Sequence, residues 1–297
     1  MHKPISEGEC LFVRQGCETG IREDGRGIRD HRLVTVETEI LPHLNGSSRV
    51  RIANLIDVLC SIKAEVMELS INSLPKGIID VSAEFSPSCN LKLDERRLVD
   101  IGSHLAQQLQ RVISGSLDKS LYGLCIIPGK FCWCLHIDLL ITRLNGDPLD
   151  ACSMAIYSAL KCTKIPKIEL LTGPSGIAED FEVIGDIVSA IDFPTDCVPI
   201  CTTFAKVGNV FVIDASMSEH ACASIAMTIA VDRHGKCCGM FKLHGGGTMT
   251  EQEIIAIFSD SKDFTPTIFK VIDTHMELLQ IENNMAFSNT RSCGLTV

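Results

Sequence analysis

The sequence predicts an α+β protein made of two related strand-then-helix halves with mixed and antiparallel sheets. Three observations lead there. Alternating apolar and polar runs cluster in each half of the chain, each cluster is followed by a segment whose apolar residues recur at spacings of three and four, and turn signals such as Asn45-Gly46 and Asn145-Gly146 separate them. The halves fall at 31–172 and 173–280, after a helix and turn-rich arm over 1–30 and before a loose tail, rich in Asn and Ser, over 281–297.

Ser6 with Glu9 forms a capping box that opens a short helix through Cys10, Leu11, Val13 and Arg14, ending before Gly16 or Gly20. The charged, turn-rich GIREDGRGIR comes next. In LVTVETEIL, Val34, Val36, Thr38 and Ile40 alternate with Thr35, Glu37 and Glu39, which predicts a half-buried strand. SSRVRIAN and LIDVLCSIKAEV complete an antiparallel meander beyond the Asn45-Gly46 turn. Asp94 caps a helix in which Leu98, Ile101, Leu105, Leu109 and Val112 share a face, leaving Glu95, Arg96, Asp100 and Gln108 mostly to solvent. After the Pro128-Gly129 loop, FCWCLHIDLLIT predicts a buried strand, Asn145-Gly146-Asp147-Pro148 a turn, and LDACSMAIYSAL a helix whose small residues let it pack closely on a sheet.

The second half repeats the order. Short strands are predicted near Ile168 to Leu171, Val198 to Phe204 and Val210 to Asp214, and ACASIAMTIAVD with CCGMFKLH, flanking Arg233-His234-Gly235-Lys236, forms a hairpin. Thr250 with Glu253 opens a last helix through Ile254, Ile255 and Phe258. Pro266 is expected to kink or restart it before Phe269, Ile272, Met276 and Leu279.

With 297 residues, 45% of them hydrophobic and 22% charged, the chain can bury a large core. The 27 Lys and Arg against 37 Asp and Glu leave a formal charge of −10, which argues against a surface that coats nucleic acid everywhere but leaves room for a local basic groove. The 15 cysteines, an odd number with no C-x-x-C pair and several set inside apolar segments, predict reduced thiols packed as small hydrophobes in an intracellular protein. MHKPISEGECLF lacks the apolar region of a secretory signal, and stretches such as Ala221 to Val231 fall short of the roughly 20 residues a membrane helix needs. A soluble protein without a membrane partner is expected.

Familiar motifs fail on their surroundings. His244-Gly245-Gly246-Gly247 looks like the oxyanion loop of some esterases, yet no G-x-S-x-G nucleophile elbow exists to use it. Gly173-Pro174-Ser175-Gly176 lacks the Gly-Lys-Ser/Thr ending of a phosphate-binding loop, and no G-x-G-x-x-G follows a strand. Cys132 and Cys134, Cys197 and Cys201, and the adjacent Cys237 and Cys238 lie in strand-like segments without a His at zinc-finger spacing. They read as packing residues, with metal binding as the alternative. His104, His136 and His275 read as structural histidines. Pattern alone shows no catalytic apparatus and implies no cofactor.

Arg22-Glu23-Asp24-Gly25-Arg26-Gly27-Ile28-Arg29, followed by a strand, Asn45-Gly46-Ser47-Ser48 and a second strand pair, resembles the opening of the RNase PH family. The resemblance continues through IIPGKFCWCLHIDLL, NGDPLDACSMAIYSAL and VPICTTFAKVGNVFVIDASMSEHACASIAMTIAVD to the terminal helix, covering Ser6 to Leu279. Within the family the chain is most similar to ring subunits of the eukaryotic RNA exosome. That likeness implies a ring of alternating catalytic-type and non-catalytic-type subunits. The implied partners are other RNase PH-like ring subunits, RNA-binding cap subunits and RNA threading the channel, and the implied location is the nucleus, including the nucleolus, and the cytoplasm.

Active members of the family degrade RNA from its 3′ end by phosphorolysis, holding phosphate on a Gly-Thr/Ser-Arg triplet before the small-residue helix. Here Asp147-Pro148-Leu149 stands in that place, and counting on from Asp214, the two positions where active members carry Asp hold His220 and Ala226. Pro removes a backbone donor, Leu removes the guanidinium, and Asp147 repels phosphate. Ala226 cannot ionise, and His220 is a weak substitute for a magnesium-binding carboxylate. The resemblance therefore implies a subunit with no catalytic residue and no metal, the alternative being an active phosphate-dependent 3′-to-5′ exoribonuclease. Arg22, Asp24, Arg26 and Arg29 read as a hydrogen-bonded turn scaffold or interface rather than a phosphate site, since Asp24 can neutralise Arg22 or Arg26. Arg111 aligns with a basic position that lines the RNA path in related subunits; the alternative is a cation complementing the end of its own helix.

Overall fold

The computed structural model describes residues 5–69, 74–89, 94–172, 178–185 and 189–292. Helix α1 spans Glu7–Thr19. Ser6 accepts from the Glu9 amide, Glu9 accepts from the Ser6 amide, and Gly20 ends the helix at φ 82°. Its buried residues Val13 and Cys17 pack on Val207, Val212 and Cys222, so the arm straps across the second half of the chain.

The first sheet contains β1 (Val34–Thr38), β2 (Gly46–Ile52), β3 (Ile56–Glu68), β4 (Ile78–Phe85), β5 (Cys125–Ile127) and β6 (Phe131–Arg143). Its order is β1-β2-β3-β6-β4 with β5 also on β6, and all pairs are antiparallel except β4 with β6. β1 stops at Thr38, where Glu39 turns the backbone at φ 56°, so Ile40, expected on the buried face, is exposed. The parallel β4–β6 pair needs a crossover, and α2 (Glu95–Ser116) provides it. Leu105, Leu109 and Val112 are buried as the periodicity predicts, but Leu98 is half-buried and Ile101 is exposed at the rim of a cleft. Asp94 stands at the N-cap without a side-chain cap bond; its carbonyl takes the Arg97 and Leu98 amides instead.

After the short α3 (Asp118–Tyr122), the chain passes through β5 and β6 into α4 (Pro148–Lys161), in which every residue from Leu149 to Leu160 is buried. Two small sheets follow, β7 (Lys164–Ile165) with β10 (Ile191–Asp192) and β8 (Ile168–Thr172) with β9 (Ala178–Val183). The second large sheet is antiparallel in the order β12-β11-β13-β14, from β11 (Ile200–Val207), β12 (Val210–Ile213), β13 (Ile225–Val231) and β14 (Cys237–His244). The run read as one strand from Ala221 divides, because α5 (Met217–Cys222) closes before β13 begins.

α4 sits between the two large sheets, and its small side chains make that possible. Ser48 of β2 donates to the Ala155 carbonyl at 2.7 Å, and Ser153 accepts from the Cys201 amide of β11 at 2.9 Å. A Cβ at Gly46 would collide with Thr163 and the Ala159 carbonyl, so only glycine fits there. The last helix, α6 (Glu251–Ser292), opens with the reciprocal Thr250–Glu253 cap and packs Phe269 edge-on to Tyr157 of α4. It neither restarts at Pro266 nor ends where the loose tail was expected. Pro266 deletes one ladder bond, Ile268, Phe269, Ile272 and Met276 anchor the segment beyond it, and no Gly or Pro interrupts the sequence again until Gly294.

Of the described cysteines, eight are buried and six half-buried, all as free thiols. Cys197 precedes β11 rather than lying in a strand, and burial pushes the Cys134 thiol up to about 11. Among the described residues, no helix is long and apolar enough to cross a membrane.

Candidate functional site

A cleft of about 330 Å³ opens where α4 begins. Ile101, His104 and Gln108 of α2 form one wall, Gly146 to Leu149 the floor, and Met217, His220 and His244 the far side. The Asp147-Pro148-Leu149 triplet and His220, read separately from the sequence, thus meet in one place.

The floor is the N-terminus of α4, the kind of place where free backbone N–H groups bind an anion. Here those groups are spoken for. Pro148 occupies the first helical position and has no N–H, and the Asp147 carboxylate accepts from the Leu149 amide at 2.9 Å. Burial pushes the Asp147 carboxyl up to about 6, against the opposing effect of that amide bond. One turn deeper, buried Asp150 accepts from the Thr203 amide at 2.9 Å and the Thr203 hydroxyl at 2.8 Å. Burial first, and then the charge of Asp147, raises Asp150 well above the usual carboxylate range. Two acids close together hold the ground that a phosphate would need.

His220 is buried, with Nδ1 3.1 Å from Nε2 of His244 and the two rings inclined at 76°. Burial lowers the His244 pKa. Ala226 is fully buried in β13, in register with Ala205 on one side and His244 on the other, and offers the cleft no polar group. Among the described residues, no group of three or more His, Cys, Asp and Glu side chains is placed to hold a metal ion. The glycine run after His244 has a steric origin: Gly245 turns at φ 97° where a Cβ would meet the Ser224 carbonyl, which accepts from the Gly247 amide at 3.0 Å. Gly173 to Gly176 lie outside the described residues.

The arginine-rich arm lies on the other side of α5. Arg22 is fully buried and gives its Nε and terminal nitrogens to Glu219 at 2.8 and 2.6 Å and to the Ile213 and Asp214 carbonyls at 3.0 and 2.9 Å. Arg26 bonds Asp24 at 2.6 Å and Asp214 at 3.0 Å, and Arg29 pairs with Asp260 of α6 at the surface. Arg32 and Glu219 belong to this network and had not been singled out from the sequence, although Ser216 and Glu219 spell a third capping box. Arg32 donates from its backbone and from Nε to Asp214 at 2.9 and 2.8 Å. Burial would raise the Asp214 carboxyl, but the Arg32 bonds and the charges of His31 and Arg32 hold it below the usual range. Asp214, the residue from which His220 and Ala226 are counted, is thereby tied to the arm.

Arg111 is exposed on α2, which runs on to Ser116, so it lies before the last turn and outside the reach of a C-terminal dipole effect. His104 is exposed at the cleft rather than satisfied in a core, His275 is half-buried on α6, and His136 lies on the outer face of the first sheet beside Glu65 and Asp80.

Comparisons with known proteins agree with this architecture. Models of the 3′ exoribonuclease family match residues 30–166 with domain 1 and residues 197–259 with domain 2. RRP42 of Dictyostelium discoideum, whose name carries the word exonuclease, is 28% identical over 80% of this chain and 87% of its own. The exosome complex component Rrp42 of Thermococcus kodakarensis is 30% identical over 80% of this chain and 85% of its own. A chain from the solved Archaeoglobus fulgidus exosome with RNA bound to the active site has the same fold, with a TM-score of 0.75 at 23% identity, covering 89% of this chain and 97% of that one.

Proposed function

The chain belongs to the 3′ exoribonuclease family, and from that premise we propose that it is a non-catalytic ring subunit of an RNA exosome. It shapes the channel for 3′-to-5′ RNA processing and decay, beside other RNase PH-like ring subunits and RNA-binding cap subunits. On this reading it takes the place of component 7 of the eukaryotic ring, with components 8 and 9 as the alternatives, and a nuclear, nucleolar and cytoplasmic location goes with that place.

One observation carries the loss of catalysis: the carboxylate of Asp147 caps the helix N-terminus that would hold phosphate. Phosphorolysis needs phosphate set in line with the scissile bond and an acid or a divalent ion on the leaving oxygen. The first requirement fails on Asp147 and Pro148, the second on Ala226 and on the buried His220. The name of the Dictyostelium relative favours the other reading, an active phosphate-dependent exoribonuclease, which would have to work without these groups.

Ring membership is supported by the arm and the residues just after it, where Phe12 and Leu33 are each 69% exposed and Leu11 is 55% exposed, apolar surface of the kind that neighbours cover. Size-exclusion chromatography with and without candidate neighbours tests it. The chain alone should self-associate or precipitate and should co-elute in a larger assembly with RNase PH-like partners. A well-behaved monomer that ignores them at micromolar concentration would overturn the reading.

A further inference from the structure

The small core under α1 holds three cysteines from two distant parts of the chain. Cys10, Val13 and Cys17 recur at spacings of three and four, so they share the inward face of α1, and that face meets Val207, Val212 and Cys222. Cys222 is the last residue of α5, a helix fixed in place by the ion pair of Glu219 with Arg22. Cys17 feels the charges of Glu219, Arg22, Glu23 and Asp24, on the clamp side of this core. Cys10, two turns earlier, has its thiol in hydrogen-bonding contact with that of Cys222.

The two thiols differ in access. Cys10 is half-buried and Cys222 is buried. Burial, and next the Cys10 thiol beside it, push the Cys222 thiol up to about 12, so at neutral pH it stays protonated and slow to react with anything in solution. Cys10 is the thiol that a dissolved oxidant reaches. Three thiols around one core suit a soft metal in principle, but among the described residues no group of three or more His, Cys, Asp and Glu side chains is placed to hold one. Two thiols in contact have a different chemistry open to them. Cys125 and Cys132 also stand opposite each other, in register across β5 and β6, but a bond there would close only a short hairpin.

We propose that Cys10 and Cys222 form a redox site, which a peroxide closes to a disulfide that clips α1 onto α5. The Cys10 sulfur gives an electron pair to one peroxide oxygen, which breaks the O–O bond and leaves a sulfenic acid and one water. The Cys222 sulfur then attacks the Cys10 sulfur, loses its proton and expels the hydroxyl as a second water. Two thiols are oxidised and one hydrogen peroxide is reduced. The bond joins positions 10 and 222, closing most of the chain into a loop, and in the chain-entropy account long loops gain most from a cross-link. What it stiffens is the helix that presents Leu11 and Phe12 to solvent, so oxidation sets how firmly that apolar surface is held. None of this depends on the ring reading, since the free chain carries both thiols.

The test treats the reduced, full-length chain with a small excess of hydrogen peroxide, alkylates the remaining thiols, digests without reductant and reads the peptides by mass spectrometry. The Cys10 and Cys222 peptides should appear joined within one chain, and dithiothreitol should release them. The oxidised protein should melt about 5 °C above the reduced one, the scale expected when a disulfide closes a long loop in a chain of this size. Cys10→Ala and Cys10→Ser, at a half-buried position, should melt like the reduced wild type, which shows that they fold, and should lose both the link and the rise. Cys125→Ala should keep both. A different pair as the main product, no link within the chain, a link that leaves the melting temperature unchanged or lower, or a rise that survives Cys10→Ala would overturn the proposal.

Discussion

The arm and the cleft flank the same short helix, α5, and treat charge in opposite ways. Around the arm the buried arginines have counterparts inside the protein: Arg22 with Glu219, and Arg26 and the following Arg32 with Asp214. In the cleft Asp147 and Asp150 crowd together with their pKa values raised. The resemblance to an RNA-degrading family opens on the arm motif, yet the arm is a clamp between the start of the chain and the second sheet. On the proposed reading, residues whose partner is the protein itself serve the fold, and the places that would touch phosphate hold Asp147, Pro148 and Leu149. Presence of the R-x-D-G-R motif therefore reports architecture, and the helix N-terminus reports chemistry.

The sharpest way to break this contrast is to cut the clamp. Arg22→Ala would leave Glu219 buried without its partner and should cost about 3–5 kcal/mol in urea unfolding, whereas Arg29→Ala, which removes an exposed pair, should cost no more than about 1 kcal/mol. Equal losses would mean that burial of the clamp is not what matters.

The cleft should respond to pH with the opposite sign to the clamp. Asp147 is raised from 3.8 to about 6 in the folded protein, so its contribution to stability is full below 3.8 and is lost as pH rises through 6. Asp214 is lowered, so its contribution is full above 3.8 and is lost as pH falls through its folded value. Asp147→Asn keeps an acceptor for the Leu149 amide and removes the charge. At pH 7 it should stabilise the fold by on the order of 1 kcal/mol, with the gain vanishing near pH 4. Unfolding curves across that range check it, and a variant less stable than wild type at pH 7 would contradict the account of the cleft.

The smallest effect belongs to Arg111. Removal of one phosphate contact lowers the magnitude of the log affinity against log salt slope by about 0.7 for a single strand. Arg111→Ala in the reconstituted ring should show that change, and Arg143→Ala, which donates at 3.4 Å to the Asn54 carbonyl, should not. If the two behave alike, Arg111 has no special place on the RNA path.

The local features were readable from sequence because their causes are local. The Ser6–Glu9 and Thr250–Glu253 caps, the β6 strand and the small-residue α4 helix are each written within a few positions. β4 went unread although Ile79 and Val81 alternate with Asp80 and Ser82, because its role as a parallel edge strand depends on β6, more than fifty residues on. Pro266 does not restart the helix, because tertiary anchoring of Phe269 and Ile272 outweighs one missing bond. The altered cleft residues could be counted off against a family pattern, but Asp147 as its own helix cap, and Arg22 as the partner of Glu219 across 197 positions, needed the folded chain.

The most direct test of the central claim is phosphate-dependent decay of single-stranded RNA by the pure, full-length chain, read as release of nucleoside diphosphates. The account predicts none, and none from Ala226→Asp with His220→Asp either, because Asp147 and Pro148 still close the phosphate site. Nucleoside diphosphates released by the wild-type chain in proportion to added phosphate would contradict it.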